Sequence, residues 1–97
     1  MKNLNNDERI ALAEFVGIIS GLYEDTQYTN IEVEETDKKI LHSVYDVLDD
    51  EYTYPEILIR LIEDDIPVLK KYLDIAWDNG DIEGNYDLQD AMDKITN

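Results

Sequence analysis

Apolar residues recur every three or four positions through most of this 97-residue chain, the spacing that paints one face of an α-helix. Acid-rich, proline-bearing and glycine-bearing breaks cut the pattern into pieces. The chain must therefore form several short helices that cover one another. The first is expected to begin near Asn5 or Asn6, because Glu8 stands three residues after Asn5 as in a capping box. Leu12, Phe15, Val16, Ile19, Leu22 and Tyr23 follow at helical spacing as its buried face, and Ile10, Ala11, Ala13 and Ile18 widen that face. A helix apolar nearly all round belongs at the centre of a bundle or in an interface.

Residues 25–35 break the period. Tyr28, Ile31 and Val33 alternate there, so one short extended segment is expected around 28–34, although a lone strand builds no sheet. Thr36 is the expected cap of a second helix burying Ile40, Leu41, Val44, Val47 and Leu48, which Asp49, Asp50 and Glu51 close. Thr53, Pro55 and Glu56 then fit a capping box opening a third helix, whose Ile57, Leu58, Ile59, Leu61 and Ile62 are expected to be deeply buried. Glu63, Asp64 and Asp65 end it. Asp65 can cap a fourth helix with Pro67 in its first turn and Leu69, Tyr72, Leu73 and Ala76 facing inward, stopping at Asn79-Gly80. A last helix is expected from about Asn85, with Leu88, Ala91, Met92 and Ile95 on one stripe. The fold class is all-α, a small bundle of four to five helices, and at this length one domain, 1–97, is expected.

Charge bears on partners. Twenty-four Asp and Glu stand against eight Lys and Arg, a formal net charge of −16. Such a field opposes direct binding to nucleic acid or to an anionic membrane, since both require Lys and Arg. The hydrophobic share of 43% is too high for a disordered acidic tail. The longest apolar stretch, Ile10 to Tyr23, contains Glu14 and falls short of the about 20 residues that span a bilayer. Residues 1–8 lack the apolar core and cleavage site of a secretory signal, and cysteine is absent, so a cytoplasmic location is expected.

Catalysis is hard to assemble, and no enzyme, cofactor or metal centre is expected. His42 is the only histidine and has no cysteine to activate. Neither Ser20 nor Ser43 lies in a nucleophile elbow, no phosphate-cradling glycine loop occurs, and Glu-x-x-His is missing. Residues 79–90 set oxygen-bearing side chains at the first, third, fifth, ninth and twelfth places of an EF-hand-like loop, with Gly84 sixth. Asn79, Glu83, Asp90 and Tyr86 depart from that pattern. A calcium-responsive module is thus a remote alternative to a plain acidic turn. Gly17 and Gly21, four apart, would share a face of the first helix and allow close packing, within the chain or across a homodimer.

The remaining signal is acid mixed with tyrosine. Asp49, Asp50, Glu51, Tyr52, Tyr54 and Glu56 lie just before the third helix, and Glu63, Asp64 and Asp65 just after it. Tyrosine supplies rigid contact area with a polar tip, and carboxylates on a helical surface can imitate a phosphate array. The expected partner is a basic protein, a nuclease or other nucleic-acid-binding protein whose cleft this face would fill. An adaptor binding through apolar helix faces is the alternative. In size, charge and helicity the chain is similar to phage antirestriction and anti-CRISPR proteins. Tyr54-Pro55 also resembles the tyrosine-tyrosine-proline of colicin DNase immunity proteins. That match covers two or three residues and the rest of the family's pattern is missing, so no functional residues carry over.

Overall fold

A computed structural model describes residues 3–25, 27, 28 and 30–96. It contains five α-helices: α1 (Asn6–Ile19), α2 (Glu35–Asp49), α3 (Pro55–Ile62), α4 (Ile66–Asp78) and α5 (Tyr86–Thr96). A single 3-10 turn, Glu63–Asp65, joins α3 to α4. The all-α bundle read from periodicity is the observed architecture.

The start of α1 is the expected capping box. The Glu8 N–H donates to Asn5 Oδ1 and the Asn5 N–H to Glu8 Oε1, both at 2.8 Å. Its end differs from expectation. The helix stops at Ile19 rather than continuing to Tyr23, because Gly21 adopts φ 82° just past the cap. The Leu22 N–H then reaches the Gly17 carbonyl and the Gly21 N–H reaches Ile18, the paired bonds of a Schellman motif. Gly17 and Gly21 therefore do not form a shared helical face. Gly17 instead makes room for Tyr23, which folds back so closely that a Cβ at position 17 would lie 2.5 Å from its ring.

The described part of the following segment holds no strand, which corrects the extended stretch expected around 28–34. Tyr28 sits at φ 60°, in the left-handed region, and its ring meets Phe15 edge-on at 4.9 Å. A left-handed turn cannot sustain strand alternation, so Tyr28 and Ile31 are buried as isolated anchors.

Two other helix starts also move. Glu34, not Thr36, is the N-cap of α2, and its side chain makes no capping bond; the Glu34 N–H donates to the Tyr72 hydroxyl at 3.3 Å. Tyr54, not Thr53, precedes α3, and no capping box with Glu56 forms. There Asp50 organises the turn, accepting from the Tyr52 N–H through its side chain and from the Thr53 N–H through its carbonyl. Asp65 occupies the cap position of α4 without a side-chain bond. Gly80, at φ 78°, ends α4 through a second Schellman pair to Trp77 and Ala76. Asn85 caps α5 by accepting from the Leu88 N–H at 3.2 Å.

Helix α1 lies against α2 and α5, α2 against α3 and α4, and α4 against α5. Four helices thus close a ring around one core in which Leu12, Phe15, Leu41, Leu48, Leu69, Leu73, Leu88 and Ile95 are fully enclosed. The outlying α3 touches this ring on one side. It buries Leu58, Ile59 and Ile62, whereas Ile57 and Leu61 stay in solvent, contrary to the deep burial expected of all five.

Polar contacts also tie the helices together. Lys94 of α5 pairs with the buried Glu8 of α1 at 2.6 Å. The Tyr72 hydroxyl donates to Asp37 at 2.5 Å, and Lys71 reaches the same carboxylate at 3.2 Å. Arg9 donates to the Leu48 carbonyl and to Asn6, so a cation from α1 covers the carbonyl end of α2. That contact offsets the acids which oppose the helix dipole there.

Candidate protein-binding face

The acid–tyrosine residues singled out in the sequence surround α3. Asp49, Asp50 and Glu51 lie at the end of α2 and in the turn after it, Tyr52 and Tyr54 lead into α3, and Glu56 stands in its first turn. Glu63, Asp64 and Asp65 form the 3-10 turn beyond its other end. Eight residues at 1.5 Å rise place the two acid groups about 12 Å apart along the helix. All of them are exposed except Asp65, which is half-buried. None takes part in an ion pair among the described residues, where the paired acids are Glu8, Glu34, Glu35 and Asp37.

Between the two groups runs an apolar stripe made of Tyr54, expected at the binding face, and of Ile57 and Leu61, which sequence reasoning assigned to the core. Tyr54 is 72% exposed, Ile57 40% and Leu61 54%. Positions 54, 57 and 61 follow i, i+3, i+7, one side of a helix. The buried residues 58, 59 and 62 take the other side. The sequence shows only that apolar residues cover more than half of this short helix; that one side of it meets no neighbour is a fact of the packing. Arg60 is the one cation within residues 49–65, against seven acids.

Asp50 has a local duty as well, since its carboxylate holds the turn that displays Tyr52. Glu63, Asp64 and Asp65 directly precede α4, where negative charge favours the helix N-terminus by a few tenths of a kcal/mol each. Beside Asp49, the Tyr45 and Tyr23 hydroxyls are hydrogen-bonded to each other. That bond, then burial and the Asp49 charge, push the Tyr45 hydroxyl well above the ordinary tyrosine pKa.

Negative charge is not confined to this face. Residues 74–93 carry seven acids and no cation, beside the exposed Trp77 and Tyr86. The loop considered for calcium lies here. Its Asp81 N–H belongs to the turn ending α4, Asn85 caps α5, and the Gln89 amide donates to the Ile82 carbonyl at 3.0 Å. Among the described residues, no group of three or more acidic or histidine side chains is placed to hold a metal ion. His42 donates from Nε2 to the Ser20 carbonyl at 3.1 Å, tying α2 to the end of α1. No helix among the described residues is long and apolar enough to cross a membrane.

Comparisons with family models, with curated proteins and with solved structures return no match.

Proposed function

We propose that this chain is a non-enzymatic binding protein that docks the α3 face onto a basic surface of another protein, a nuclease or other nucleic-acid-binding protein being the best-fitting class. The observation that carries the reading is the exposed Tyr54–Ile57–Leu61 stripe held between two acid groups that form no ion pair among the described residues. Apolar and aromatic residues supply the desolvated centre of an interface, and charges around them set encounter rate and partner choice. The interrupting stripe fits a protein interface better than it fits simple imitation of a phosphate backbone, which would be charged throughout. Occupation of a basic cleft would still exclude nucleic acid from it, and inhibition is the natural consequence.

The test is capture of basic proteins from the native cell, followed by kinetics on the purified complex. Asp50→Asn keeps the acceptor that holds the 50–53 turn. Together with Asp64→Asn it is expected to slow association, while Leu61→Ser mainly speeds dissociation. Raising salt from about 50 to 500 mM should weaken the complex by an order of magnitude or more. An affinity unchanged by salt yet lost with Leu61→Ser would favour the adaptor reading, in which the acids serve only solubility.

A further inference from the structure

We infer that a second recognition element adjoins the α3 face: a groove beside Ile10 that seats an arginine side chain from a basic segment of the partner protein. The inference rests on the protein-binding reading above, for the groove shares Asp49 and Glu51 with that face. It has a volume of about 490 Å³ and lies between α1, the turn that follows it and the end of α2.

The groove follows from the local fold. Gly21 ends α1 and turns the chain back, and the missing side chain at Gly17 lets the Tyr23 ring lie against the helix as one wall. The hydrogen bond between the Tyr23 and Tyr45 hydroxyls holds that ring in place. Ile10, 47% exposed, supplies apolar surface to the groove. Glu14, Asp25, Asp49 and Glu51 stand around it, all exposed. Among the described residues of the lining the single cation is Arg9, which is already committed to the Leu48 carbonyl and Asn6.

Apolar surface with an anionic rim and an aromatic wall selects its occupant by chemistry. A nucleic acid or an anionic lipid is repelled by the four carboxylates. A basic polypeptide is attracted, and the stem of a long cationic side chain can cover Ile10 while its head remains among the acids. Arginine fits better than lysine, because a planar guanidinium both stacks on a tyrosine ring and pairs bidentately with carboxylates.

The probe is a pair of dye-labelled 12-residue peptides, one alternating Arg with Leu and the other Lys with Leu, titrated into the full chain at low salt by fluorescence anisotropy. The Arg peptide should bind at least about fivefold more tightly than the Lys peptide. Ile10→Ser and Glu14→Gln, both at exposed positions, should each weaken the Arg peptide by about three- to tenfold, with Leu61→Ser leaving it unchanged. Equal affinity for the two peptides, no binding of either, or Arg-peptide binding indifferent to Ile10→Ser and Glu14→Gln overturns the inference. If Leu61→Ser alone abolishes binding, the groove falls and the α3 face stands. If the groove variants act as expected while the captured protein ignores the α3 variants, the α3 reading falls and the groove stands.

Discussion

Glu8 shows how much one side chain can carry here. It closes the capping box of α1, is buried, and pairs with Lys94 across the interface with α5. Burial alone would raise the pKa of its carboxyl; the Asn5 amide and the Lys94 ammonium more than offset this and leave it below the ordinary value. Removing only the cation strands a buried carboxylate, so Lys94→Ala is expected to cost about 2 kcal/mol, below the fully buried range because Lys94 is partly exposed. Glu8→Gln keeps an acceptor for the Asn5 N–H and should cost about 1 kcal/mol. The double variant Glu8→Gln with Lys94→Met should be more stable than Lys94→Ala, since no unpaired charge stays inside. Urea denaturation of the set checks this; a double variant less stable than Lys94→Ala would show that the pair does more than compensate its own burial.

Helix ends, more than helix interiors, shape the elements. Both α1 and α4 stop where a glycine takes a left-handed conformation and two backbone N–H groups turn back to the last carbonyls. A Cβ at Gly21 would meet nothing within 4 Å, so any substitution there acts through backbone conformation alone. Gly21→Ala is therefore expected to destabilise by about 1–2 kcal/mol, measured as a shift in the urea midpoint with an unchanged slope. A neutral result would mean that the turn after α1 re-forms without the left-handed residue. The third helix is the counterexample to reading burial from hydrophobicity. Leu58 and Ile62 meet α2 and the core, whereas Ile57 and Leu61, equally apolar, face outward because no later element returns to cover them.

Across the whole molecule, the hydrogen-bonded and ion-paired carboxylates set the acid limit of stability. The Tyr72 hydroxyl, with Lys71, holds the Asp37 carboxyl below its ordinary value, and Glu8 is also lowered. A carboxyl whose folded pKa is depressed contributes stability that is present above its unfolded value and lost as pH falls through the folded one. With ordinary values of 3.8 and 4.5, the Asp37 and Glu8 contributions disappear in acid below those values. The net charge of −16 adds a self-repulsion at neutral pH that salt screens. The melting temperature at about pH 7.5 should therefore rise as salt is raised from about 10 to about 200 mM, and at constant salt it should fall below about pH 4. A midpoint at about pH 7.5 that does not rise with salt would refute dominance by repulsion. On the alkaline side, the Asp37 hydrogen bond raises the Lys71 pKa, and burial followed by the Asp37 bond raises that of Tyr72. Their stabilisation is complete below the ordinary values of 10.5 and 10.0 and is lost as pH climbs through the folded ones.

Local chemistry made the helices legible. The Asn5–Glu8 box, the inward Leu69, Tyr72, Leu73 and Ala76 of α4, and the stop at Asn79-Gly80 were all readable from the chain and all occur. They are settled by residues within a turn of one another. The start of α2 was not readable, because the Glu34 N–H finds its acceptor in Tyr72, far along the chain. Nor was the covering of the α2 carboxyl end by Arg9. The acid and tyrosine positions around α3 were visible in advance, Tyr54 among them, but the exposure of Ile57 and Leu61 was not. Whether Ile57 and Leu61 meet protein or water depends on which helices pack beside them, and spacing along one helix carries no record of its neighbours.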